Sequence, residues 1–220
     1  MSVRHVAVAA LAAAVALPLV AAPAATAATG QGAVVSRADI DGDGRPDTTT
    51  LRSSRDGTRQ TLTVKTAAGR TSSATINTPY LFDRTPFHGV AEIDGAAGHE
   101  IVINTGSGAH TLFFAVYSWR DGKLVAQTDP ASGSTEWVTD SALSASQGYR
   151  VQTVRGVRQL TSVALARDTW GRNATFSGTR VTAQWRDGRW MTITRRAVTV
   201  PADSPTVAAS AGWHVTGLAR

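Results

Sequence analysis

The chain has no cysteine. That single absence excludes disulfide staples, a thiol nucleophile and a lipid-anchored lipoprotein cysteine. Lysine is nearly absent too: only two of the 22 basic residues are lysines, so arginine carries the positive charge. The arginines are scattered in ones and twos, a pattern that fits a solvated strand face better than a nucleic-acid groove. Nucleic acid is therefore not an expected partner. With a formal charge of +6, such a face can instead rest against anionic cell-wall polymers or lipid heads. Catalytic signatures are sparse as well. The histidines after the first stretch, His88, His99, His110 and His214, form no H-E-x-x-H pair or other close metal-ligand spacing. Ser107 lies between glycines but outside the G-x-S-x-G elbow, which needs a strand-turn-helix setting. A distributed triad of Ser107, His110 and Asp94 can be drawn, as it can in most chains of this length, so no catalytic residue is assigned.

What is present begins with a leader. Arg4 and His5 give a short basic start, an apolar run follows from Val6 to Leu17, and Ala25-Thr26-Ala27 supplies the small residues of a cleavage site. Pro18 and Pro23 interrupt the apolar run, leaving it too short to span a bilayer core of about 30 Å. Residues 1–27 are thus expected to be a secretory signal, and the mature protein to be extracellular with no transmembrane segment. No twin arginine precedes the run, which favours the general secretion route.

From Gly30 onward, short runs rich in Val, Ile, Thr and aromatics are divided by Gly, Asp and Asn turns. No apolar stripe of helical period lasts three turns. The expected class is all-β, built of antiparallel hairpins in a single domain over 28–220. Thr48 to Ser53 and Gln60 to Thr66 read as a hairpin turning through Arg55-Asp56-Gly57-Thr58, where Asp-Gly favours a primed turn. Asp121-Gly122 and Asp187-Gly188 repeat the device. Arg70 to Ile76 reads as a further strand. Gly148 to Val154 and Arg158 to Leu165 pair around Arg155-Gly156, and Thr179 to Gln184 pairs with Arg189 to Thr194. Asp129-Pro130-Ala131-Ser132-Gly133-Ser134 is a loop cluster expected to divide two sheets.

One stretch stands apart: Asp39-Ile40-Asp41-Gly42-Asp43-Gly44-Arg45-Pro46-Asp47. Carboxylates at loop positions 1, 3, 5 and 9 would repel one another unless a cation neutralised them, and calcium takes six to eight oxygens at about 2.4 Å. Gly44 permits the bend, and Arg45 offers its backbone carbonyl. The expected metal ligands are Asp39, Asp41, Asp43, Asp47 and the carbonyl of Arg45. An EF-hand is excluded by Pro46, by Thr50 where a bidentate Glu is needed, and by the threonine-rich strand that follows. The plain alternative is a surface turn with no ion, because Asp and Gly are ordinary turn formers.

Shifting this loop by 53 residues lays Asp39, Asp41 and Asp47 on Glu92, Asp94 and Glu100, and Ile40 and Gly42 on Ile93 and Gly95. Such coincidence points to duplication. Asp43 falls on Ala96, so the second loop is expected to bind calcium weakly or not at all. The chain thus divides into a repeat with a calcium loop (33–85), a degenerate repeat (86–128) and a C-terminal β half (129–220).

Val34 to Asp47 resembles the calcium-loop repeat of the FG-GAP family, which is related to VCBS repeats and to the propeller of integrin alpha chains. Phe87-His88-Gly89-Val90-Ala91-Glu92-Ile93-Asp94-Gly95 resembles the same unit in degenerate form. Small exported actinobacterial proteins with such repeats look similar throughout. The resemblance implies propeller blades and calcium held by the five groups named above. Two units fall short of the about seven blades of a complete ring, so a small or incomplete propeller is expected, with a β-sandwich as the alternative. The leading functional expectation is a non-catalytic exported module for extracellular interaction or adhesion. Six tryptophans keep a carbohydrate or cell-wall binding module open, although Trp119 and Trp185, each before an Asp-Gly turn, are expected to pack on the sheet. A secreted hydrolase or inhibitor is the third expectation.

Overall fold

Period-2 alternation of apolar and polar residues produces the first sheet. In the computed structural model, which describes residues 32–81 and 85–218, β1 (Ala33–Ser36), β2 (Thr48–Ser53), β3 (Arg59–Lys65) and β4 (Thr71–Asn77) form an antiparallel meander in chain order. On β3, Gln60, Leu62 and Val64 point inward and are buried, whereas Thr61 and Thr63 are half-buried. The expected leader, residues 1–27, lies outside the described residues.

The β2–β3 turn differs from the expected primed pair. Only Gly57 has a positive φ, 71°. The loop is held open by Asp56, whose Oδ1 accepts from the Ser54 hydroxyl at 2.5 Å and from the Thr58 N–H at 3.1 Å. Side-chain hydrogen bonds of this kind compete with a tight two-residue turn. The primed geometry, with positive φ at both central residues, does occur at Asp121-Gly122 (50° and 80°), Arg155-Gly156 (51° and 78°) and Asp187-Gly188 (51° and 75°).

The remaining strands are β5 (Phe87–Ala91), β6 (Glu100–Ser107), β7 (Thr111–Arg120), β8 (Lys123–Ala126), β9 (Trp137–Asp140), β10 (Ala145–Val154), β11 (Val157–Arg167), β12 (Thr175–Arg186), β13 (Arg189–Pro201) and β14 (Gly212–His214). They make one long sheet in the order β13-β12-β11-β10-β9-β7-β6-β5, with β8 beside β7 and β14 parallel to β10. The Asp129–Ser134 loop therefore does not separate two sheets. Asp129 folds that loop on itself by accepting from the Ala131 N–H and the Ser132 hydroxyl, both at 2.9 Å. β7, which precedes the loop, pairs directly with β9, which follows it, Thr111 with Asp140 through Phe114 with Trp137. The division between sheets falls earlier, between β4 and β5.

A short helix, α1 (Pro205–Ser210), interrupts the β pattern. Ser204 caps it by accepting from the Thr206 N–H, and Pro205 occupies the first turn, where its missing N–H costs nothing. At six residues it is too short to leave a periodic signal.

Strands β6 and β7 are covered on both faces. Ile101, Ile103, Tyr117 and Trp119 face the first sheet, where they meet Ile40, Leu51, Leu62, Val64 and Ile76. Val102, Phe114 and Val116 face the other way, onto a core with Ile93, Trp137, Tyr149, Leu160, Trp213 and Val215. A strand covered on both faces reads as a continuous apolar run, as Ile101-Val102-Ile103 does. The fold is all-β and antiparallel in its hairpins, and no ring of blades closes among the described residues. The layering about β6 and β7 is compatible with the sandwich alternative.

Candidate metal centre

Asp39 nucleates the first loop. Its Oδ1 accepts from the N–H groups of Gly42 (2.7 Å) and Asp43 (3.1 Å), and its Oδ2 from Gly44 (2.8 Å). Wrapping three amides around one carboxylate requires left-handed backbone at Gly42 and Gly44, where φ is 79° and 81°. Asp47 closes the base of the loop. Its Oδ2 accepts from Ile40 N–H (2.7 Å) and Asp41 N–H (3.0 Å), and its Oδ1 reaches Ala67 N–H at 2.8 Å, tying the loop to the β3–β4 turn.

Oxygens of Asp39, Asp41 and Asp43 lie within 4.8 Å of one another. Twice a calcium–oxygen distance of about 2.4 Å is the same span, so an ion can bridge any two of them and the three are close enough to converge on one ion. Asp41 supplies the most telling atom. Its side chain is only 1% exposed, and Oδ2 meets Arg70 Nη2 at 3.2 Å, while Oδ1 has no hydrogen-bond partner. A buried carboxylate oxygen with nothing to accept from is costly, and a hard cation would relieve it. Asp43 is held from outside: Arg45 donates Nη2 to its Oδ2 at 2.7 Å, which keeps the carboxyl below its usual range. That pair is exposed and so easily exchanged for an ion. The residues present fit calcium. Three of the expected carboxylates are brought together, while Asp47 is placed at the loop base with both oxygens engaged by amides.

The second loop repeats this architecture with different occupants. Glu100, 53 residues after Asp47, accepts at Oε2 from Ile93 N–H (2.7 Å) and Asp94 N–H (3.2 Å), as Asp47 does from Ile40 and Asp41. Gly95 has the same φ of 79° as Gly42. Here a guanidinium stands where a cation would. Arg120 Nη2 donates to Asp94 Oδ2 and lies 3.4 Å from Glu100 Oε1, and Gln127 Nε2 also donates to Asp94. Glu92, in the place of Asp39, faces Arg158 at 3.7 Å. Every carboxylate of this loop is taken by a side chain, a physical reason to expect weak ion binding there or none. Neither Arg120 nor Gln127 belongs to the loop, and nothing in the local pattern marks them.

The two loops lean on each other. His99 N–H donates to the Asp39 carbonyl at 2.9 Å. Gly98 has φ 89°, and a Cβ there would strike the Ile40 carbonyl oxygen, so only glycine fits this approach.

Burial, and next to it the neighbouring Asp94, push Glu100 up to about 8 from 4.5. A folded pKa above the unfolded one means that the folded state holds a proton the unfolded state has lost. This contribution is full below pH 4.5 and disappears as pH rises through about 8. In urea titrations across that range, Glu100→Gln should lose much of the native decline in stability with rising pH. Parallel profiles for the two proteins would remove Glu100 from the account.

Other sequence candidates are placed elsewhere. No hydrogen bond joins Ser107, His110 and Asp94. Trp119, Trp137 and Trp213 are buried, Trp185 and Trp190 are half-buried edge to face at 5.4 Å, and Trp170 alone among the tryptophans is exposed. No helix among the described residues is long and apolar enough to cross a membrane. In comparisons with known families, curated proteins and solved structures, no family model, no curated protein and no solved structure matches this chain.

Proposed function

We propose that the chain is an exported, non-catalytic β-module stabilised by calcium in the Asp39–Asp47 loop and serving extracellular interaction or adhesion. The observation that carries the calcium reading is the buried, unpartnered Oδ1 of Asp41 beside Asp39 and Asp43. Asp39, Asp41 and Asp43 would hold the ion, with the Arg45 carbonyl completing its oxygens, and Asp47 would fix the loop around it. The ion supplies charge neutralisation and rigidity. Bound there, it would set the loop against its Arg120-filled counterpart and so brace the contact between the two sheets. The FG-GAP resemblance and the expected leader support the same reading.

Calorimetric titration with CaCl2 should give one site per chain with a dissociation constant on the order of 10⁻⁴ to 10⁻³ M, the range of extracellular modules. Asp41→Asn should weaken it at least tenfold. No heat in the native protein would withdraw the calcium reading.

A carbohydrate-binding reading rests on one feature, the exposed Trp170 with the Arg167 guanidinium 4.6 Å from its ring. A single ring makes a smaller platform than the shared tryptophan face such binding calls for. Retention on insoluble polysaccharide, lost in Trp170→Ala, would favour this second reading over the first.

A further inference from the structure

A cavity of about 400 Å³ lies on the long sheet away from β5 and β6. The neighbouring strands β10, β11 and β12 form its floor, and α1 and β14 stand beside it. Gly148 makes this possible: a Cβ on it would collide with the backbone of Gly212 and Ser210, so only glycine lets the C-terminal segment lie so close. The Ser146 hydroxyl fastens the helix by donating to the Val207 carbonyl at 2.6 Å.

Register fixes what faces the cavity. Arg150 pairs with Thr161 on one side and with His214 on the other, Thr161 pairs with Thr182, and Arg180 pairs with Val163. Residues directly opposite, and those two apart along a strand, share a face. Arg150 and Arg180 therefore rise from the same face two strands and two residues apart, with the Thr161 and Thr182 hydroxyls between them at 3.2 Å from each other. Among the described residues no carboxylate lines the cavity. Among them, too, neither arginine has an ion-pair partner, and His214, also in the wall, has an Nε2 without a hydrogen-bond partner there.

Arg180 is also directly opposite Arg196 on β13. Like charges at opposed positions of an antiparallel pair are destabilising, and three guanidiniums gather on one face with no ion-pair partner among the described residues. We propose that this cavity is an oxyanion site that takes a phosphate-bearing ligand between Arg150 and Arg180. Two guanidinium forks arriving from different strands can grip different edges of a tetrahedral oxyanion, whereas a planar carboxylate is satisfied by one fork. The hydroxyls of Thr161 and Thr182 are further donors on the same floor. The volume falls within the range of small-molecule sites, about 300–1,000 Å³, so a phosphate ester fits as well as free phosphate. The site is remote in sequence from the Asp39–Asp47 loop and does not depend on calcium.

The test uses the full chain in calcium-free buffer. Inorganic phosphate, glycerol phosphate and acetate are compared at equal ionic strength, with the native protein beside an Arg150→Gln, Arg180→Gln double variant. Phosphate at about five times its dissociation constant should raise the native unfolding midpoint by about 2–4 °C. Acetate should leave the midpoint unchanged, and the variant should not respond. A response to glycerol phosphate equal to that of phosphate places the ester inside the site, whereas a response to phosphate alone restricts it to the free ion. Arg180→Gln alone should unfold no earlier than the native chain without phosphate, because repulsion from Arg196 is relieved. Amide shifts on phosphate addition, read on the native protein, should be confined to β10–β12, α1 and β14. No midpoint change, an equal rise in the variant, an equal rise with acetate, or shifts elsewhere would overturn the proposal.

Discussion

Trp213→Ala should lower unfolding free energy by about 3–5 kcal/mol. Trp213 comes from the last and shortest strand, yet it sits at the middle of the second core, 1% exposed. Its ring is 4.6 Å from Tyr149, 5.8 Å from Trp137 in a stacked arrangement, and 5.6 Å from Phe114 edge-on. These partners belong to β10, β9 and β7, so one side chain links three strands of the long sheet to the C-terminal segment. Alanine would leave a cavity that rings held by their own strands cannot fill. Trp213→Phe should cost less, because a ring still meets Phe114 and Tyr149. Urea unfolding monitored by circular dichroism reads both. A loss below about 1 kcal/mol for alanine, the typical cost of an ordinary substitution, would mean that the aromatic cluster does not organise this core.

Asp47→Ala should cost about 3 kcal/mol or more, and should do so with or without calcium. Its carboxylate accepts from three amides, Ile40, Asp41 and Ala67, and hydrogen bonds to a charged acceptor contribute about 1.5–3 kcal/mol each. Asp47 is itself 1% exposed, so water does not replace it readily. Asp47→Asn keeps one acceptor oxygen and should lose less. If Asp47 acted only as a metal ligand, its removal would leave stability in calcium-free buffer unchanged. Chemical denaturation without calcium separates the two roles, and the geometry predicts the loss.

The sequence was most informative where local chemistry decides the structure. Asp121-Gly122, Arg155-Gly156 and Asp187-Gly188 each require two left-handed residues, and the hairpins fall around them. The 53-residue repeat was legible because Asp47 and Glu100 serve the same purpose, and a carboxylate that must catch amides six and seven residues back leaves a fixed spacing. Where contacts come from afar, the sequence was silent. Arg120 and Gln127 reach Asp94 from 26 and 33 residues away, and the spacing within the loop does not reveal them. The reading of Asp129–Ser134 as a divider failed for a similar reason. A polar loop looks the same whether it joins two sheets or two strands of one, and pairing of β7 with β9 decides between them. The helix α1 escaped because six residues, capped by Ser204 and led by Pro205, carry no period.

The expectation that Trp119 packs on the sheet agrees with its burial against the first sheet, where the Arg70 guanidinium lies 5.9 Å from its ring centre. Arg70 also reaches Asp41 at 3.2 Å. This side chain therefore connects the carboxylate cluster to the core between the sheets, so a cation in the loop would be felt as stability of the packed layers as well as of the loop.

Thermal unfolding of the protein after chelation and again in about 10 mM Ca²⁺, beside an Asp41→Ala, Asp43→Ala double variant, tests that claim most directly. At about 10–100 times the dissociation constant, calcium should add about 1.4–2.7 kcal/mol, which for a domain of this size raises the midpoint by about 3–10 °C. The native protein should respond and the double variant should not. A native midpoint that stays put when calcium is added, or one that rises equally in the variant, would contradict a structural ion at Asp39, Asp41 and Asp43.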